Sequence, residues 1–303
     1  MQHTAKKPSH LAYATLWLCA LIWGGSFVFQ KIAMNYVEPL FFNAFRCILS
    51  VITLLPFLVI ASVQDDADFD FFRPHELKLG ISLGVLLWLA LGAQQIGIVN
   101  STASKAAFIN GLYIVFVPIV MKFLFRNTIA SWQISMMGLA TLGLYLLVTS
   151  FDGLIVGFGD SLMLLGTVIW SVHLCILSHY AKQSRALPIA MIQMLVCAVL
   201  SAASSRLVGE VWTWQGTFMA VPSLVYAGIL SGGIAFTLQI YGQRSVKSSE
   251  ASIILSFEVV CGSWAGWYFL NEPYSLRNAI GAALILLTII LIEMIHYFRI
   301  ETK

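Results

Sequence analysis

Two ionisable side chains stand where the chain is otherwise apolar. Arg46 lies some seven residues into the run 39–61, between Phe45 and Cys47, and Glu258 sits near the middle of the run 249–270. A charge at the centre of a bilayer costs about 2.5–3.5 kcal/mol on insertion scales, so each needs a partner, a wet cavity or a solute. Arg46 reads either as a group that receives an anion or as one that snorkels outward or pairs to hold helices together. Glu258 reads either as a proton carrier between faces or as the partner that neutralises Arg46. Trp23, Phe27 and Trp170, with Trp88, Tyr226 and Trp264, supply flat faces that can stack on a ring or cover a cation; the alternative is packing or interfacial anchoring. His173 follows Trp170 by three residues on one helical face, as a protonatable gate or a packing histidine. The solute-binding candidates are thus Trp23, Phe27, Arg46, Tyr113, Trp170, His173 and Glu258, and the proton-coupling candidates are Glu258 and His173.

Neutral amides at Gln94, Gln95, Asn110 and Gln239 can orient a polar metabolite without the cost of a charge, or serve as glue between helices. Gly80 and Gly84, Gly228 and Gly232, and Gly262 and Gly266 have the small-residue spacing of close helix contacts and read as packing. Asp160 and Glu272 fall at the ends of apolar runs, where capping is expected. The five cysteines, Cys19, Cys47, Cys175, Cys197 and Cys261, lie inside apolar runs with no C-x-x-C spacing and read as small core residues, with no metal or other cofactor implied. No H-E-x-x-H, G-x-S-x-G or nucleotide-binding loop occurs, which argues against a membrane-embedded enzyme and against ATP-driven transport by this chain.

The elements that carry these residues are membrane spans. The chain has 303 residues, 59% hydrophobic and 10% charged, with a mean hydropathy of +0.86. Soluble domains carry about 25% charged residues, so a soluble globular protein is excluded. The net charge of +3 is small and scattered through short loops, which leaves no nucleic-acid footprint. Apolar runs long enough to cross a bilayer fall at 11–34, 39–61, 77–99, 101–125, 132–150, 157–182, 188–208, 217–243, 249–270 and 276–297, ten spans in all. The first, although preceded by Lys6 and Lys7, is too long for a signal peptide. Only the connection 62–76, with Asp65, Asp66, Asp68 and Asp70, is long and polar. Placing the N-terminus inside puts twelve Lys and Arg on the inner side and four outside, with Arg46 within a span, so both termini are expected in the cytoplasm of a multi-pass inner-membrane protein.

The chain is built twice. Around the hinge Asn271-Glu272-Pro273, an interval of 145 residues pairs Ala106 with Ala251, Tyr113 with Glu258 and Asn127 with Glu272; a small slip then pairs Gly138 with Gly281. An interval of 147 pairs Leu21-Ile22-Trp23-Gly24 with Val168-Ile169-Trp170-Ser171. Five spans per half is an odd number, so the second half enters the membrane upside down, an arrangement suited to alternating access around one midplane site.

The halves, 11–150 and 157–297, resemble two EamA domains, and the chain is similar to ten-helix members of the drug/metabolite transporter superfamily. The residues that carry the likeness are Ala20 to Phe27, Phe45-Arg46, Gly159-Asp160-Ser161-Leu162, Leu270-Asn271-Glu272-Pro273 and Ile280 to Ile285. It departs from that pattern at Arg126-Asn127, where a Gly-Glu pair is usual, and at Val259, where Pro is frequent. The resemblance implies an all-α membrane protein and a secondary carrier that exports a small organic solute, an amino acid or a related metabolite. The expected partners are that solute and the lipid bilayer, with no nucleic acid; a homodimer is left open. A receptor or scaffold is the competing class, but it would not need ionisable groups at mid-depth in an inverted repeat.

Overall fold

The computed structural model describes residues 10–64, 73–148 and 157–301, and within them the chain is helical with no strand. Lys6, Lys7 and the aspartates of the 62–76 connection lie outside the described residues. The long helices are α1 (His10–Ala33), α2 (Pro39–Gln64), α3 (Pro74–Ile98), α4 (Ala103–Phe125), α5 (Ser131–Val148), α6 (Phe158–Tyr180), α7 (Ala186–Leu207), α8 (Val221–Gln243), α9 (Ser248–Leu270) and α10 (Leu276–Glu301), with a short helix Trp214–Met219 ahead of α8. Eight of these are long and apolar enough to cross a membrane, and α10 adds a shorter apolar segment, Leu276–Ile292. The remaining helix, α5, has 18 residues.

Their ends follow from local chemistry. Pro39 and Pro74 open α2 and α3, where a missing N–H costs nothing. Thr102 caps α4 by accepting from the Lys105 N–H, and Asp160 accepts from the Gly157 N–H at the start of α6. Two further N-termini are capped from the other half of the chain. Glu210 accepts from the N–H groups of Leu40 and Phe41, and Glu272 accepts from those of Ala103 and Ser104 and from the Ser104 hydroxyl. Lys31 donates to the carbonyls of Ile98 and Val99, a cation at the C-terminal end of α3.

The closest helix pairs all join one half to the other: α3 with α6 and α7, α2 with α7 and α8, α1 and α4 with α9, and α5 with α10. Small residues permit this. A Cβ on Gly97 would stand 2.5 Å from the Gly159 carbonyl oxygen, and one on Gly24 would stand 2.3 Å from the Cys261 Cβ. The paired glycines read as packing residues behave so: Gly80 and Gly84 meet Ile192 and Val196, Gly228 and Gly232 meet Leu49 and Ser50, and Gly262 and Gly266 meet Ala107 and Ser104.

Helix boundaries recur at the intervals expected of an internal repeat. Five residues of the second half, Ser248, Leu270, Leu276, Tyr180 and Ala186, lie at the two expected intervals, 145 or 147, from Ala103, Phe125, Ser131, Ala33 and Pro39. The interval of 145 runs through the hinge unchanged, so the slip that pairs Gly138 with Gly281 is not present. Gly281 packs on Gly143, and Gly138 faces open space. Both α4 and α9 break near mid-length, at Leu112 and Ser256, where the backbone tightens to an i→i+3 bond. The π-helix Tyr226–Ala235 interrupts α8.

Candidate functional site

The breaks in α4 and α9 and the π-helix in α8 surround a cavity of about 40 Å³, lined from α1, α2, α3, α4, α6, α7, α8 and α9. That volume holds about three waters and no metabolite, so the bundle is contracted around its centre. Its lining includes Trp23, Phe27, Arg46, Trp170 and Glu258, five of the seven candidate solute-binding residues.

One wall is polar. Arg46, 5% exposed, donates from Nη1 to the Gln30 Oε1 at 3.1 Å, and its guanidinium lies 5.6 Å from the Phe42 ring centroid. Gln94 donates to the same oxygen at 3.3 Å, and Gln30 in turn donates to the Ser26 hydroxyl at 3.0 Å. Arg46 Nη2 has no hydrogen-bonding partner. Across the cavity the Glu258 carboxyl, 1% exposed, accepts from the Asn110 amide at 2.7 Å and lies beside the Tyr113 hydroxyl. Arg46 and Glu258 do not form an ion pair; Lys105 pairs with Asp160 and Arg185 with Glu76, away from the cavity. The reading in which Glu258 neutralises Arg46 by direct contact is therefore set aside.

The other wall is aromatic. Trp23 stands edge-on to Trp170 at 5.5 Å and to Phe236 at 5.0 Å, and its Nε1 donates to the Ser231 carbonyl. Such pairs contribute about 0.5–1.5 kcal/mol beyond their buried area and hold the rings at fixed angles. His173 stacks flat on Trp170, 4.8 Å away with 7° between planes, on the side turned from the cavity, and its Nε2 pairs with the Gln193 Oε1. Tyr113, wholly buried, likewise stands behind the lining. Trp88, Tyr226 and Trp264 are elsewhere: Trp88 donates to Ser204, Tyr226 to the Ile22 carbonyl, and Trp264 is 53% exposed.

Of the four amides, Gln94 and Asn110 line the cavity, whereas Gln95 and Gln239 are sealed within the packing. Gln30 went unread in the sequence although the signal was present. Trp23, Phe27 and Gln30 follow i, i+4, i+7 and so share one helical face. Ser231 and Phe236 had no such signal, because the π-helix winds the chain out of 3.6-residue register.

The cavity lies toward one end of the bundle. Gln30 and Gln94 are within about one turn of the ends of α1 and α3, at the end where Lys105 meets Asp160 at 2.6 Å and Glu272 caps α4. At the opposite end Glu76, fully buried, accepts from the Arg185 backbone N–H, Nε and Nη2, the last at 2.7 Å. Each pair ties one half of the chain to the other. Among the described residues no cluster of His, Cys, Asp and Glu is suited to a metal.

The profile of the EamA family, described as the EamA-like transporter family, matches residues 10–149 and 157–294. An uncharacterized transporter of Archaeoglobus fulgidus is 29% identical over 277 residues, covering 91% of this chain and 84% of the relative. The uncharacterized transporter YoaV of Bacillus subtilis is 24% identical, covering 88% and 90%. A protein of Chlamydia muridarum named as an S-adenosylmethionine/S-adenosylhomocysteine transporter is 26% identical, covering 89% and 88%. A solved crystal structure superposes with a TM-score of 0.72 at 16% identity, covering 92% of this chain and 96% of the other, which places the two in one fold.

Proposed function

The chain belongs to the EamA-like transporter family, and from that premise we propose that it is a secondary carrier exporting a small organic zwitterion, an amino acid or a derivative of one, by alternating access. The observation that carries this reading is the pairing of an incompletely bonded guanidinium, Arg46, with a carboxyl, Glu258, across a narrow cavity whose remaining wall is indole and phenyl surface. A solute carboxylate fits the free Nη2 of Arg46, a solute ammonium fits Glu258, and an apolar or flat remainder fits Trp23, Trp170 and Phe236. S-adenosylmethionine and S-adenosylhomocysteine, named for the Chlamydia relative, combine an amino-acid end with a flat base and belong in the same chemical class. The export direction rests on the resemblance alone.

In this reading all ten helices span, as two inverted repeats of five, and both termini face the cytoplasm. The repeat intervals and the distribution of Lys and Arg support it. The Lys105–Asp160 end then faces outward and the Arg185–Glu76 end inward, so that opening one end while the other holds gives alternating access. Glu258 is the proton-coupling group. Solute flux into and out of vesicles containing the purified protein tests this, with amino acids, S-adenosylmethionine and uncharged metabolites supplied with and without a pH gradient. Zwitterion movement that follows the gradient is expected. Failure of every zwitterion while uncharged metabolites cross would overturn the assignment.

A further inference from the structure

Among the buried polar side chains that lack hydrogen-bond partners for some or all of their polar atoms, five share one property. They are Trp170 Nε1, His173 Nδ1, Gln193 Nε2, both amide atoms of Gln239, and Tyr113 Oη, which lies beside the Glu258 carboxyl without reaching hydrogen-bonding geometry. Tyr113, His173, Gln193 and Gln239 are 0% exposed. A buried polar group left unpaired is destabilising, so this set of them argues for a use that this packing does not display. The repeat supplies one. Intervals of 147 and 145 make Trp170 the mate of Trp23, His173 of Ser26, Gln193 of Arg46, Gln239 of Gln94 and Tyr113 of Glu258. Every one of those five mates lines the cavity.

We infer that Tyr113, His173, Gln193 and Gln239, with Trp170 shared between both, form the solute-facing wall of the opposite state, a second wall that this structure holds shut toward the Glu76 end. The inference rests on the inverted-repeat carrier reading above. When the Glu76 end opens while the Asp160 end stays tied, these groups gain water and solute as partners, while Ser26, Gln30 and Gln94 become sealed. Gln243, one turn beyond Gln239 on the same face, also has no partner for either amide atom, and it extends the polar track toward the Glu76 end. The π-helix Tyr226–Ala235 leads directly into Phe236–Gln243. Tightening a π turn to an α turn rotates the helix beyond it, which turns Gln239 about the helix axis.

The two walls differ in charge. A carboxylate that meets a guanidinium at Arg46 meets only the Gln193 amide on the second wall, while the Tyr113 phenol there lies beside the Glu258 carboxyl that both walls share. The second wall therefore accepts the solute carboxylate through neutral hydrogen bonds and holds the solute less tightly.

Thiol accessibility tests this without any solute. In a chain whose five native cysteines are replaced, Gln94→Cys and Gln239→Cys are exposed in vesicles to a membrane-impermeant maleimide from either face. Labelling of Gln94→Cys from the Asp160 face and of Gln239→Cys from the Glu76 face is expected. Gln239→Cys that stays unlabelled from the Glu76 face overturns the second wall even where flux of zwitterions is measured. Labelling as expected with no zwitterion flux leaves the second wall standing and removes the solute assignment. In the otherwise native chain, Gln239→Leu removes the orphaned amide: flux falls at least tenfold while the thermal midpoint rises by about 2–4 °C. A lowered midpoint would show that the amide is structural and would overturn the inference.

Discussion

Arg126 and Asn271 end two helices in the left-handed conformation, φ 53° and 54°, and stand 145 residues apart. Among the described residues they alone of the non-glycine residues have positive φ. Each donates its N–H five residues back, Arg126 to Met121 and Asn271 to Gly266, and the residue after each donates to the same carbonyl. The two caps match and stand at the interval expected of a repeat. The next residue in each hinge breaks the symmetry: Glu272 reaches the first turn of α4, whereas its mate Asn127 is exposed and brings no carboxylate to α9.

The hinges are thus unequally braced. Glu272→Ala removes acceptors from two backbone N–H groups at a helix start and is expected to cost about 1–2 kcal/mol. Asn127→Glu, which offers the mirror carboxylate to the first turn of α9, is expected to raise the thermal midpoint. Melting curves of the two variants check both signs, and a midpoint lowered by Asn127→Glu would refute the mirrored cap.

Arg46→Ala removes the group assigned to the solute carboxylate. Hydrogen bonds to charged groups contribute about 1.5–3 kcal/mol, so KM for a zwitterion is expected to rise about 10- to 100-fold. Uptake kinetics against an uncharged analogue supply the control, since that analogue should lose far less.

Glu258→Gln keeps the size of the side chain and its bond with Asn110 through the remaining oxygen, but it cannot release a proton. Flux down a solute gradient is expected to persist while the response to an imposed pH gradient disappears. A variant that still follows the pH gradient would move the coupling role to another residue.

The two ion pairs are of unequal worth. Glu76 has a side chain 0% exposed and takes three bonds from Arg185, whereas Asp160 is 7% exposed and shares Lys105, Ser101 and Gly157. Breaking a buried pair by removing one partner costs about 3–5 kcal/mol. Glu76→Gln is therefore expected to lower the thermal midpoint more than Asp160→Asn, and Asp160→Asn to leave most of the flux. The two melts measured side by side decide the order.

The features legible in the chain alone are set by local chemistry. Apolar length against bilayer thickness marks eight of the ten expected spans, Asn271-Glu272-Pro273 marks a break between helices, and the matches at 145 and 147 residues point to a duplication, because each depends only on residue type and spacing along the string. The isolation of Arg46 and Glu258 in apolar runs also marks them as groups in need of an explanation. Tertiary structure decided who meets whom. Arg46 bonds to Gln30 rather than Glu258, His173 lies behind Trp170, Gln94 faces the cavity while Gln239 is sealed, and Phe236 enters the aromatic wall. These depend on how far each helix is rotated about its own axis. That rotation is set by glycine contacts between the two halves and by a π-helix in α8; the glycines show their four-residue spacing in the sequence, but the helix that each one meets, and the π-helix itself, are decided across the bundle.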